Sequence, residues 1–396
     1  MVSVTAPDAT WDRGARPDTA RALDPPECRA DAVTQDGVMS SPRPSRTPHQ
    51  SRTGMSRLRG PVAAAAALVI GVGMITACGS DDSTPDVPTV TAATAPEAPA
   101  SSATAPAGTV VPAPAGARAL ATSGGSVAVL SADGNQILRY DTGRVTSPPQ
   151  TITVPGLTAL AAGDDGAYVG AGPGVLVVVD AEGRVQTGDL ESDQPTAVAR
   201  TTSGFLVVGT ADGRVIVYDN NFAKKHDLDR FVRVDSLTAA PESAEGLGGQ
   251  VVVLDRAQSS VTPVDPESGE LGPALRAGNG ATNSTVDEFG RVLVANTRDG
   301  EILGFFGSPL VMRFRYPVAD GPYAVDYDDT RDRLWVSTTG NNEVVAYDLA
   351  DGEPTEIQRF ASVVQPDRIA VDSSGTVYVL SARDGGLQVV PDGRAG

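Results

Sequence analysis

Cysteine is close to absent from these 396 residues: Cys28 and Cys78 are the only two. No pair follows Cys78, so a domain there cannot be stapled by disulfides and must rest on its own hydrophobic core. Histidine is as scarce. His49 and His226 are too few for a multi-histidine zinc or iron site. Lysine is limited to Lys224 and Lys225, against 29 arginines. Helical periodicity is missing from the C-terminal two-thirds. Net positive charge is lacking too: nine Arg and seven acidic residues precede Cys78, and from there on 22 basic residues face 42 acidic ones. A body of that sign repels phosphate backbones and anionic headgroups, so no nucleic-acid partner is expected. Lys224, Lys225, Arg230 and Arg233 form the one local basic group.

The first thing present is an export signal. Arg57 and Arg59 give a positive start, and Pro61 to Met74 is apolar but short for a membrane span. Ile75-Thr76-Ala77-Cys78 then sets small residues before a cysteine, as in a bacterial lipobox. Residues 55–77 therefore read as a lipoprotein signal peptide and Cys78 as the site of lipid (palmitate-type) attachment. The protein is expected on the extracytoplasmic face of the cell membrane, held there by its lipid. Residues 1–54 are polar and rich in Pro and Arg; they read as disordered and as a misassigned start, with translation beginning at Met55 or Met39. On that reading Trp11, Cys28 and His49 belong to no mature protein.

Residues 78–115 are dominated by Ala, Pro, Thr and Ser. They read as a solvated tether, and its proline suits extended polyproline conformations. At about 3.1 Å per residue, such a stretch reaches roughly 100 Å.

From residue 116 to 396 one unit recurs. A turn residue precedes a short β-branched run, in SVAVL, AYVGA, FLVVG, QVVVL, RVLVA, RLWVS and TVYVL. The residues before these runs are Gly125, Gly166, Gly204, Gly249, Gly290, Asp332 and Gly375, at steps of 41, 38, 45, 41, 42 and 43. A second run keeps the same period and ends in aspartate at Asp141, Asp180, Asp219, Asp265 and Asp348. Each unit has room for about four short strands, and one such sheet cannot bury both faces alone. Twisted sheets must then stack in a ring, so the expected fold is all-β, a seven-bladed β-propeller preceded by a disordered N-terminal region. The last unit shows only three strands, DRIAV, TVYVL and LQVV. Thr109 to Val111 is expected to supply its outer strand.

The unit LWVSTTGNNEVVAYDLADGE resembles the YVTN and NHL propeller repeats. More closely, VVVLDRAQSSVTPVD, LRAGNGAT, GRVLVANTRDGEILGF, YPVADGPYAVD and QPDRIAVD are similar to the actinobacterial lipoproteins called LppL, over about residues 55–391. The resemblance implies a surface lipoprotein and supplies no catalytic motif.

Chemistry is sparse. His226, in NNFAKKHDLDR, is expected in an exposed loop between units, away from any triad. Gly172-Pro173-Gly174 lies in a turn between strands, not ahead of a helix, and is no phosphate cradle. Trp335 is the only tryptophan after Cys78, which excludes the repeated tryptophan docking of quinone dehydrogenases. No catalytic residue and no cofactor are expected. The leading reading is a monomeric, non-enzymatic binding or scaffold module for an envelope protein or glycan, with Asn283, Tyr323 and Arg368 at the mouth of the propeller. The competing reading is a calcium-dependent lactonase or sugar-acid hydrolase built from Asn283, Asp287, Asp326, Asp367 and Asp372. It requires three or four carboxylate or amide groups converging in the channel, and an arginine-lined channel would discard it. Otherwise these residues cap turns.

Overall fold

The apolar runs that open each repeat become second strands of four-stranded antiparallel sheets, as at Ser126–Leu130, Leu206–Thr210 and Val292–Asn296. Every residue in those three strands is buried. A strand sandwiched between neighbouring sheets is covered on both faces, which explains a continuous apolar run in place of alternation. The computed structural model describes residues 88–100, 104–381 and 383–393. Residues 55–77, read above as a signal peptide, Cys78 and the upstream stretch lie outside the described residues.

Seven such sheets form. Seven apolar clusters lie between successive blades, and one of them joins blade 7 to blade 1 through Tyr378, Leu387, Val127 and Tyr140. The core is thus a ring of seams, and the seven-bladed propeller is what the repeat demanded.

The ring closes as the repeat predicts. Thr109–Val111 pairs antiparallel with Leu387–Val390, Thr109 opposite Val389 and Val111 opposite Leu387. Gln388 locks the seam from inside: its buried amide donates to Ala107 O at 2.8 Å and accepts from Val363 N at 2.9 Å.

The repeated turn residues have one cause each. Gly125, Gly166, Gly204, Gly249, Gly290 and Gly375 have φ between 77° and 91°, and Asp332 has φ 52°. That is left-handed backbone, where glycine has no steric cost. The periodic aspartates cap turns with their carboxylates. Asp180 accepts from Glu182 N and Arg184 N, and Asp219 from Asn221 N and Ala223 N. Their recurrence is architectural.

Two expectations are corrected. Pro88–Ala100 is not a free spacer but a strap laid over the loops of blades 4 to 7. Its backbone groups bond Ala257 O, Arg298, Arg256, Gln365 and Asn342. A proline-rich chain has no hydrogen bonds of its own to offer its carbonyls, so side chains from distant loops satisfy them. Pro96 also seats on Gly321, where a Cβ would come within 2.5 Å of its ring. Second, His226 is not in a loop. It sits half-buried on the outer strand Lys224–Asp229, with Nε2 at 2.9 Å from Glu267 O of the next blade. Three members of the basic group around it are in ion pairs, Lys224 with Glu191 and Asp227, Lys225 with Asp219 and Arg233 with Asp235, while Arg230 bonds only the Asp229 carbonyl.

Candidate functional site

The seven inner strands, Ala119–Ser123, Ala159–Ala162, Pro195–Arg200, Ser236–Ala239, Ala281–Val286, Pro322–Asp328 and Arg368–Val371, surround the axis. Residues at or next to their starts converge on one cavity of about 520 Å³, on the strap side of the ring. All seven blades contribute to its wall. Asn283, Tyr323 and Arg368, the three residues singled out as mouth candidates, all line it. Asn283 and Tyr323 are coupled, the amide Nδ2 donating to Tyr323 O at 3.0 Å.

Sequence reasoning missed most of the charge. The wall also holds Arg118, Arg233, Arg256 and Asp235. Arg118 donates to Ala132 O at 2.7 Å and Leu157 O at 3.2 Å, and Arg368 donates to Arg118 O at 3.2 Å. On the blade 4 side, Asp235 accepts from Arg233 Nε at 2.5 Å and from Arg256 N at 3.0 Å. Behind them Asp255, almost wholly buried, accepts from Val232 N, Arg233 N and Gln258 N and so fixes both loops. Burial raises the pKa of Asp255 in spite of these three donors. The Arg256 guanidinium reaches the strap at Ala93 O, while its Nε is buried with no partner among the described residues. No periodic signal could have revealed the set, because the arginines occupy non-equivalent positions in blades 1, 4 and 7.

The residues proposed for calcium do not assemble. Asp287 caps Phe289 N and Arg291 N and pairs with Arg291 at 2.6 Å. Asp372 caps Ser374 N and Thr376 N. Asp367 stands before the blade 7 inner strand, and its carbonyl accepts from Arg368 Nη1 at 2.7 Å. Among the described residues no three carboxylates, histidines or cysteines are grouped to hold a metal. The cavity has four arginines and one carboxylate. That donor set does not suit a hard cation, and the hydrolase reading is discarded.

Asp326 is the unusual carboxylate. It lies on the blade 6 inner strand, accepting from Val371 N at 2.8 Å and Thr285 Oγ1 at 3.3 Å, so it ties three blades together. Strands of blades 5, 6 and 7 half-bury it, and that desolvation pushes its pKa up to about 7. Between the unfolded value of 3.8 and about 7, the folded state holds a proton that the unfolded state has lost. Stability from this group is therefore complete below about pH 4 and fades as pH rises through about 7. Asp326→Asn keeps both hydrogen bonds available without a charge. Denaturant titrations should show wild type losing on the order of 2–4 kcal/mol relative to this variant across that window. Parallel pH profiles would contradict the assignment.

A second cavity of about 550 Å³ opens on the opposite side, along Gly246–Gln250. Of its carboxylates, Asp265 is spent on capping Glu267 N.

No family model matches the chain, and no curated protein matches it. Solved structures share its fold. A streptogramin B lyase superposes with a TM-score of 0.59 at 14% identity, covering 72% of this chain and 97% of that one. Virginiamycin B lyase from Staphylococcus aureus gives 0.58 at 11%, covering 71% and 98%. A Kuenenia stuttgartiensis hydrazine synthase gives 0.59 at 15%, covering 70% and 95%. Proteins of such different function, at these identities, share the propeller architecture alone with this chain.

Proposed function

We propose that this chain is an extracytoplasmic lipoprotein of the LppL type, held to the membrane by lipid on Cys78. Its propeller is a non-catalytic binding module that takes an envelope protein or glycan at the channel mouth. The observation that carries the reading is the convergence of residues from all seven blades, several of them charged or polar, on one open cavity. Propellers present binding groups on loops held by a rigid scaffold, and this cavity falls in the size range of ligand sites. The docked strap supports a short leash: ten peptide steps separate Cys78 from Pro88, a reach of at most about 36 Å.

Two measurements test this. Cells fed radiolabelled palmitate should label the wild-type protein and leave Cys78→Ser unlabelled; equal labelling would remove the anchor from the proposal. Crosslinking pull-downs from intact envelopes should lose about tenfold in partner recovery when Asn283, Tyr323 and Arg368 are replaced together by alanine. Unchanged recovery would move the binding site elsewhere.

A further inference from the structure

We infer that the channel mouth binds a small organic or inorganic anion carrying negative groups at two ends, gripped between two arginine pairs on opposite sides of the ring. The inference rests on the reading of this mouth as a binding site and goes beyond it by assigning a small ligand there.

The arginines are distributed in two places. Arg118 and Arg368 meet at the junction of blades 1 and 7, where Arg368 donates to the Arg118 carbonyl. Arg233 and Arg256 both belong to blade 4, joined through Asp235. In a ring of seven, blade 4 lies opposite the junction of blades 7 and 1. The cavity therefore has a cationic wall at each end of one diameter, with Asn283 and Tyr323 along one flank.

Three of these four guanidinium groups have no carboxylate partner among the described residues. Arg233 pairs with Asp235, whereas Arg118, Arg256 and Arg368 make hydrogen bonds to backbone carbonyls and no ion pair with a described residue. This occurs in a body whose acidic residues outnumber its basic ones almost two to one. Arginines on the third and outer strands show the usual alternative, with Arg214 on Asp227, Arg315 on Glu301 and Arg359 on Glu343. A concave site with an excess of three positive charges focuses its field inward, while the acidic exterior repels anions from other surfaces. Guanidinium forks suit carboxylate and phosphate oxygens.

The test is calorimetric titration of the purified full-length protein with citrate and inorganic pyrophosphate, and with glucose as an uncharged control. Both anions should bind, with affinity falling about tenfold between about 0.02 M and about 0.2 M salt, and glucose should not. Arg118→Gln and Arg256→Gln remove one guanidinium from each wall, and each should weaken binding about ten- to a hundredfold. Arg298→Gln also loses a strap contact but lies off the cavity, so it should leave the affinity unchanged. Arg118→Lys keeps the charge and should fall between wild type and the glutamine variant, which separates charge loss from misfolding. Glucose binding as tightly as the anions, or anion affinity indifferent to the glutamine substitutions, would overturn the inference. A protein that captures its envelope partner yet ignores both anions would refute the anion class alone. One that does neither would refute both readings.

Discussion

A chain beginning at Gly116 should fail to fold cooperatively, whereas one beginning at Gly79 should melt in a single transition. The difference is the closing strand. Without Thr109–Val111, blade 7 has three strands, and Leu387–Val390 becomes an open edge although all four of its residues are buried in the intact ring. Val111 leaves the seam between blades 7 and 1, the Tyr140 hydroxyl loses Pro112 O at 3.0 Å, and the Gln388 amide loses Ala107 O. Burying one valine contributes about 1.5–3 kcal/mol, and each hydrogen bond lost with the strand about 0.5–1.5 kcal/mol. The total is on the order of 5 kcal/mol or more, comparable with the whole stability of many domains. The exposed edge would also pair with other copies, so soluble aggregates should accompany the loss. Scanning calorimetry with light scattering reads both. A shorter chain with an unchanged transition would mean that the ring is closed by something other than this strand.

The second large effect is expected at Trp335. Its ring is fully buried in the seam between blades 6 and 7, against Phe360 at a centroid distance of 5.8 Å and beside Gly393. Its Nε1 has no partner among the described residues, so the contribution is packing and not hydrogen bonding. Trp335→Ala should cost about 3–5 kcal/mol, and Trp335→Phe, which refills part of the space, distinctly less. Denaturant unfolding followed by circular dichroism measures both. Equal losses for the two variants would indicate that the indole makes a polar contact after all.

The ring was legible because its physics is periodic. A left-handed turn residue before each second strand, and in five of the seven blades an aspartate capping the third-to-fourth strand turn, recur at nearly fixed steps, and the two periods corroborate each other. Closure was legible for a similar reason: a blade short of one strand needs a β-branched segment, and Thr109-Val110-Val111 is the nearest available. The strap was not legible. Ala, Pro and Thr carry no sign of docking, and the donors that hold them, Arg256, Arg298, Asn342 and Gln365, lie on loops more than 150 residues away in the chain. The arginine mouth was half legible. Arg368 could be placed because it opens an inner strand, as Asn283 and Tyr323 also stand near such starts. Arg118, Arg233 and Arg256 meet it only through ring closure, which brings blade 1 against blade 7 and sets blade 4 opposite. His226 shows the converse. An isolated histidine among charges suggested a loop, but alternating exposure along Lys224–Asp229 makes it an outer strand.

Hydrogen-exchange mass spectrometry of the full-length protein, with and without saturating pyrophosphate, addresses the channel mouth most directly. Slowed exchange should be confined to the first residues of the inner strands, to the Arg233 and Arg256 loops of blade 4, and to the strap that Arg256 touches. Protection on the outer strands or on the Gly246–Gln250 side, with the mouth unchanged, would contradict it.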